Sequence, residues 1–62
     1  MTKQPLFDPL TPVWVHSEAG KQPGYYLGLT NRGMSHKVNS KRTSKASAAG
    51  WVIDDDERIT KR

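Results

Sequence analysis

The chain has 62 residues, with ten Lys or Arg against six Asp or Glu and no Cys, a formal net charge of +4. That length allows one domain at most and buries only about 60% of the surface an unfolded chain exposes. The missing cysteine excludes disulfides, thiol nucleophiles and thiolate zinc sites, and no apolar run reaches the roughly 18 residues of a membrane span.

Leu, Ile, Val and Phe supply eleven of the 62 residues, below the roughly 20% that marks the border with disorder. Trp14, Trp51, Tyr25 and Tyr26 pull the other way. The expectation is a small ordered centre with loose chain around it. Met1-Thr2-Lys3-Gln4-Pro5 leads only into Leu6-Phe7, which is no signal-peptide core. A complete small cytoplasmic protein is expected.

Residues 1–12 carry Pro5, Pro9 and Pro12. Each proline fixes φ and removes an amide donor, so this stretch reads as an extended arm. Leu6, Phe7 and Leu10 would cover one end of the core. Val13-Trp14-Val15-His16 is the first strand signal, β-branched and aromatic. Ser17 to Gly24 is rich in turn formers and reads as a long hairpin loop. Tyr25 to Thr30 is the second strand. Strict alternation puts Tyr25, Leu27 and Leu29 on one face and Tyr26, Gly28 and Thr30 on the other.

Asn31-Arg32-Gly33 is a turn in which Gly33 is free to take positive φ. Met34 to Asn39 is a third strand, with Met34, His36 and Val38 on one face. Thr43 or Ser44 can cap a short helix over 44–50 that stops at Gly50. Trp51-Val52-Ile53 reads as a last short strand or an anchoring segment, and residues 54–62 form a charged tail whose end, Arg58 to Arg62, is expected to fray. The ordered domain is therefore 13–53, and its expected core is Val13, Val15, Leu27, Leu29, Val38, Trp51 and Ile53.

Charge is segregated. Arg32, Lys37, Lys41, Arg42 and Lys45 run without an acid among them, and Asp54-Asp55-Asp56-Glu57 holds four of the six acids. Lys and Arg neutralise phosphates, and the interleaved Asn39, Ser40, Thr43 and Ser44 can donate to phosphate oxygens. Tyr26, Trp14 or Trp51 would offer a stacking face to an unpaired base.

Other chemistries find little support. No Gly-x-Ser-x-Gly frame or Gly-rich phosphate loop is present, and a core this small does not readily build a water-excluding pocket, so no enzyme is expected. His16 and His36 are the only histidines and are expected to stand half-exposed. The Asp run lacks the alternating ligands of an EF-hand loop, so neither a metal nor another cofactor is expected.

Val13-Trp14-Val15 followed by Gly24-Tyr25-Tyr26-Leu27-Gly28 resembles the first hairpin of Tudor and other SH3-like barrels. The resemblance covers only that stretch and implies a small antiparallel sheet. An aromatic cage would need Trp14, Tyr25 and Tyr26 on one side, and alternation separates the two tyrosines.

The expected fold is small β or α+β: a three-stranded antiparallel sheet over 13–16, 25–30 and 34–39, with a short helix or turn. The expected function is a small basic binding protein that contacts nucleic acid through Arg32, Lys37, Lys41, Arg42 and Lys45, with Tyr26 and Trp14, in an accessory or regulatory role. The competing class is a protein-binding module or inhibitor of a larger enzyme, of the kind a phage or plasmid uses to modulate its host. No membrane or small-molecule partner is expected.

Overall fold

A five-stranded antiparallel sheet, in the order β4-β3-β2-β1-β5, makes up almost all of the ordered structure. The strands are β1 (Thr11–Ser17), β2 (Gly20–Thr30), β3 (Ser35–Asn39), β4 (Gly50–Ile53) and β5 (Ile59–Lys61). A one-turn 3₁₀ helix, Asp56–Arg58, precedes β5. This computed structural model describes residues 2–45 and 47–62.

The expected three strands are present, and two more join them. Trp51-Val52-Ile53 forms β4 with Gly50 and pairs with β3, Val38 opposite Trp51. The expected frayed tail contains β5, which pairs with β1, Val15 opposite Ile59. The expected long hairpin loop is a tight turn. Only Glu18 and Ala19 separate β1 from β2, and Gly20 turns the chain at φ 109°. Pro23 lies within β2, in a stretch that pairs with β1 alone, so its missing amide costs no ladder bond on the open side. Of the expected helix near 44–50, Ala46 lies outside the described residues, as does Met1 of the arm. The described residues beside Ala46 are not helical: 43–45 have no regular structure, Ser47 is in a turn, and Ala48 and Ala49 form a bend.

β2 belongs to two halves of the sheet. Gly20 to Tyr26 pairs with β1, and Tyr25 to Thr30 pairs with β3. Between Tyr26 and Gly28 the register slips in a β-bulge, with Gly28 at φ 138°. Bulges bend a strand and let it pass from one sheet layer to the next. The chain then returns from β4 to β5, the two sheet edges, through only residues 54–58. Such a link reaches about 16 Å, counting its 3₁₀ turn, whereas the edges of a flat five-stranded sheet lie about 19 Å apart. The sheet therefore curls around its own core.

That core is Val13, Val15, Tyr26, Val38, Ile53 and Ile59, with Leu6, Phe7 and Trp51 packed against it. The Pro-rich arm thus covers the core. Phe7 meets Tyr26 edge-on at 5.8 Å between ring centroids, and Lys3 N–H donates to Gly33 O at 2.7 Å. Leu27 and Leu29, expected in the core, are only half-buried, and Tyr26 is fully buried in their place. Tyr26 shares the face of Gly24, which stands opposite Val13, and is itself opposite Val38, so the Tyr26 side of β2 and not the Leu27 side is the core side. No helix among the described residues is long and apolar enough to cross a membrane.

Candidate nucleic-acid interface

The outward face of the first half-sheet carries the aromatic groups that solvent can reach. Val13 and Val15 point inward, so Trp14 points out. Trp14 pairs with Pro23 and Pro12 with Tyr25, which makes Trp14 and Tyr25 diagonal neighbours on one face. Both are half-buried. Lys21 Nζ lies 4.8 Å from the Trp14 ring centroid. The Arg62 guanidinium lies 5.3 Å from Trp14 and 5.1 Å from Tyr25. Arg62 also donates to Gly24 O at 3.0 Å, which fixes it between the rings.

The β3–β4 loop reaches the same face. Tyr25 is opposite Asn39 in the β2–β3 ladder. Val38 points into the core, so the Asn39 side chain points outward, yet it is fully buried. The loop covers it: Asn39 Nδ2 donates to Thr43 O at 2.6 Å and to Lys45 O at 3.1 Å. Asn39 therefore clamps the loop beside Tyr25, with Lys41, Arg42 and Lys45 exposed. Its amide is committed to this clamp and is no phosphate donor. Asn39 Oδ1 is buried with no hydrogen-bond partner among the described residues.

The seven residues singled out from sequence do not form one surface. Lys41, Arg42 and Lys45 share the loop, Trp14 stands on the outer face, and Lys37 sits on β3, half-buried and outward. Arg32 is apart, in the β2–β3 turn at φ 58°, at the far end of β3 from the loop. Tyr26 is the correction. It is 0% exposed and offers no face to a base. Lys21 and Arg62 replace it on the outer face. Sequence reasoning missed both, because Lys21 lay in an expected loop and Arg62 in an expected tail.

Inside, Tyr26 belongs to a second polar cluster. Leu6 N–H donates to Tyr26 Oη at 3.1 Å, and Tyr26 Oη lies 2.8 Å from His36 Nδ1. His36 Nε2 lies 2.6 Å from Asp56 Oδ1, which Lys3 Nζ also approaches at 3.3 Å. A carboxylate only accepts, so Nε2–H donates to Asp56, and on the neutral ring Nδ1 accepts from the Tyr26 hydroxyl. Burial raises the Tyr26 pKa and keeps that hydroxyl protonated, partly offset by the Leu6 amide. The His36 hydrogen bond, together with Lys3, holds Asp56 below the usual carboxylate range. His36, expected half-exposed, is completely buried. His16 is on the outer side, 2.7 Å from Thr60 Oγ1, so the two histidines serve different faces.

Three of the four acids in the acidic block, Asp54, Asp55 and Asp56, hold hydrogen bonds. Asp54 accepts from Ser35 Oγ, and Asp55 caps the 3₁₀ turn by accepting from Glu57 N–H at 3.0 Å. Among the described residues Lys3 and His36 are the basic side chains that contact a carboxylate, both at Asp56, so the basic segment enters no ion pair. No family model, curated protein or solved structure matches this chain.

Proposed function

We propose that this chain is a small basic binding protein of the cytoplasm that contacts nucleic acid in an accessory or regulatory role. We read its β1–β2 hairpin as loosely SH3-like. One observation carries the proposal: Asn39 folds a loop bearing Lys41, Arg42 and Lys45 onto the face where Lys21 and Arg62 lie across Trp14 and Tyr25. These five cations enter no ion pair among the described residues, and phosphates are the anions such a cluster suits. Lys37 extends the surface along β3. Arg32 stands outside it.

A fluorescence titration with nucleic acid at two salt concentrations tests the reading. Affinity should fall steeply with salt, by about one log unit per log unit of salt for each phosphate engaged. No binding at low salt would sink it.

A protein-binding module or inhibitor is the second reading. It is supported by β4, a sheet edge on which Val52 is 59% exposed. An open edge can accept a strand from another chain. A stoichiometric protein recovered by pull-down after nuclease treatment would favour it.

A further inference from the structure

The aromatic rings of the outer face are already occupied, and this bears on which part of a nucleic acid the site reads. Lys21 lies over Trp14, and Arg62 lies over both Trp14 and Tyr25. A base stacking on these rings must first release those cations. Each exposed cation–π contact contributes a factor of about two to five, so the three together are worth about 10- to 100-fold. A base stacked on an aromatic side chain contributes about 5- to 150-fold. The exchange is close to even before the Arg62 hydrogen bond to Gly24 O is lost as well. A phosphate needs no such release. It meets the ammonium and guanidinium groups where the rings hold them, and Lys41, Arg42 and Lys45 stand on the clamped loop alongside.

Resting on the nucleic-acid reading above, we infer that the ligand is duplex nucleic acid held by its phosphates, and that Trp14 and Tyr25 place cations and do not stack bases. A duplex presents one negative charge per about 1.7 Å of its axis and keeps its bases internal, which suits a cationic surface without open rings. Binding is then indifferent to base sequence.

The test is fluorescence anisotropy with a labelled duplex DNA and its separate single strand, between about 50 and 200 mM salt. The expected result is tighter binding to the duplex. Trp14→Leu should lower affinity for both probes by the same few-fold. A loss of tenfold or more for the single strand, with the duplex unchanged, would overturn the inference and leave the nucleic-acid reading standing. Absence of binding to either probe at low salt would remove both. Because Trp14 is half-buried, the pair Lys21→Ala, Arg62→Ala at exposed positions gives an independent measure. The salt slope for the duplex should fall by about two units. An unchanged slope would count against phosphate contact at these residues.

Discussion

Tyr25 and Tyr26 are adjacent in sequence and lie on opposite sides of β2. Tyr25 looks outward, shares Arg62 with Trp14 and adjoins a basic loop. Tyr26 looks inward, takes Phe7 on its ring and passes its hydroxyl to a buried histidine. Both regions pair an aromatic ring with a nitrogen base. Outside, the cations keep their charge in water and remain open to an anion. Inside, the hydrogen-bonding groups of Tyr26 and His36 are satisfied by one another, by Leu6 and by Asp56. The outer cluster is therefore suited to binding and the inner one to holding arm, sheet and acidic link together.

Replacing each tyrosine in turn is the sharpest way to break that comparison. Tyr26→Ala removes a fully buried ring and strands His36, a loss of about 3–5 kcal/mol. A domain of this size has about 3–9 kcal/mol in total, so the variant should be largely unfolded by circular dichroism. Tyr25→Ala should cost no more than about 1 kcal/mol, the scale of one exposed cation–π contact. Equal losses in urea melts would show that the two faces do not divide the work.

Gly50→Ala tests the edge opposite β5. A Cβ there would stand 2.1 Å from Val38 O and 2.8 Å from the Asn39 Cα, both backbone atoms that cannot swing aside. β4 must shift from β3, at a cost of about 1–3 kcal/mol. Gly28→Ala meets no atom within 4 Å and is penalised only through its φ of 138°. Its effect should be smaller, about 1–2 kcal/mol. If Gly28→Ala proved the more damaging in thermal melts, the bulge would matter more than the close β3–β4 approach.

Asn39→Ala separates the loop from the sheet. It removes the bonds to Thr43 O and Lys45 O, at about 1–2 kcal/mol. The unpaired Oδ1 goes with it, which offsets part of the loss. Amide exchange in the loop should speed up more than in β1. Nucleic-acid affinity should drop several-fold although no cation has been removed.

The first three strands were legible because their β-branched and aromatic residues are dense: Val13-Trp14-Val15, Tyr25-Tyr26-Leu27, and Val38 beside His36. β5 was not, since Ile59 is its one apolar residue and its pairing partner lies 44 positions earlier in Val15. Alternation separates Tyr25 from Tyr26 as the structure does, but two leucines on the Tyr25 side make that side look like the core, and alternation itself is broken after Tyr26, at Leu27. The glycine that follows, in the interior of a strand, was the available sign of a bulge. The basic segment was legible as a run of charge, but its division was not. Whether Arg32 and Lys41 share a surface depends on where β3 begins and ends. The link between Asn39 and the loop carbonyls has no sequence signature.

The smallest expected effect concerns pH and the exposed end of the inner cluster. Asp56 is held below its ordinary value of 3.8, first by its hydrogen bond from His36 and then by Lys3. A carboxyl with a lowered pKa in the folded state is more readily protonated in the unfolded chain. Its contribution to stability is complete above the unfolded value and is lost as pH falls through the lower, folded one. Stability should therefore be flat in this respect at neutral pH and decline below about pH 4. Asp56→Asn should lower stability at neutral pH and flatten that acid limb, so that the two proteins converge at low pH. The carboxylate is half-exposed, so the difference is small and shrinks further with added salt. Parallel curves, separated equally at every pH, would mean that the Asp56 side chain matters for its shape and not for its charge.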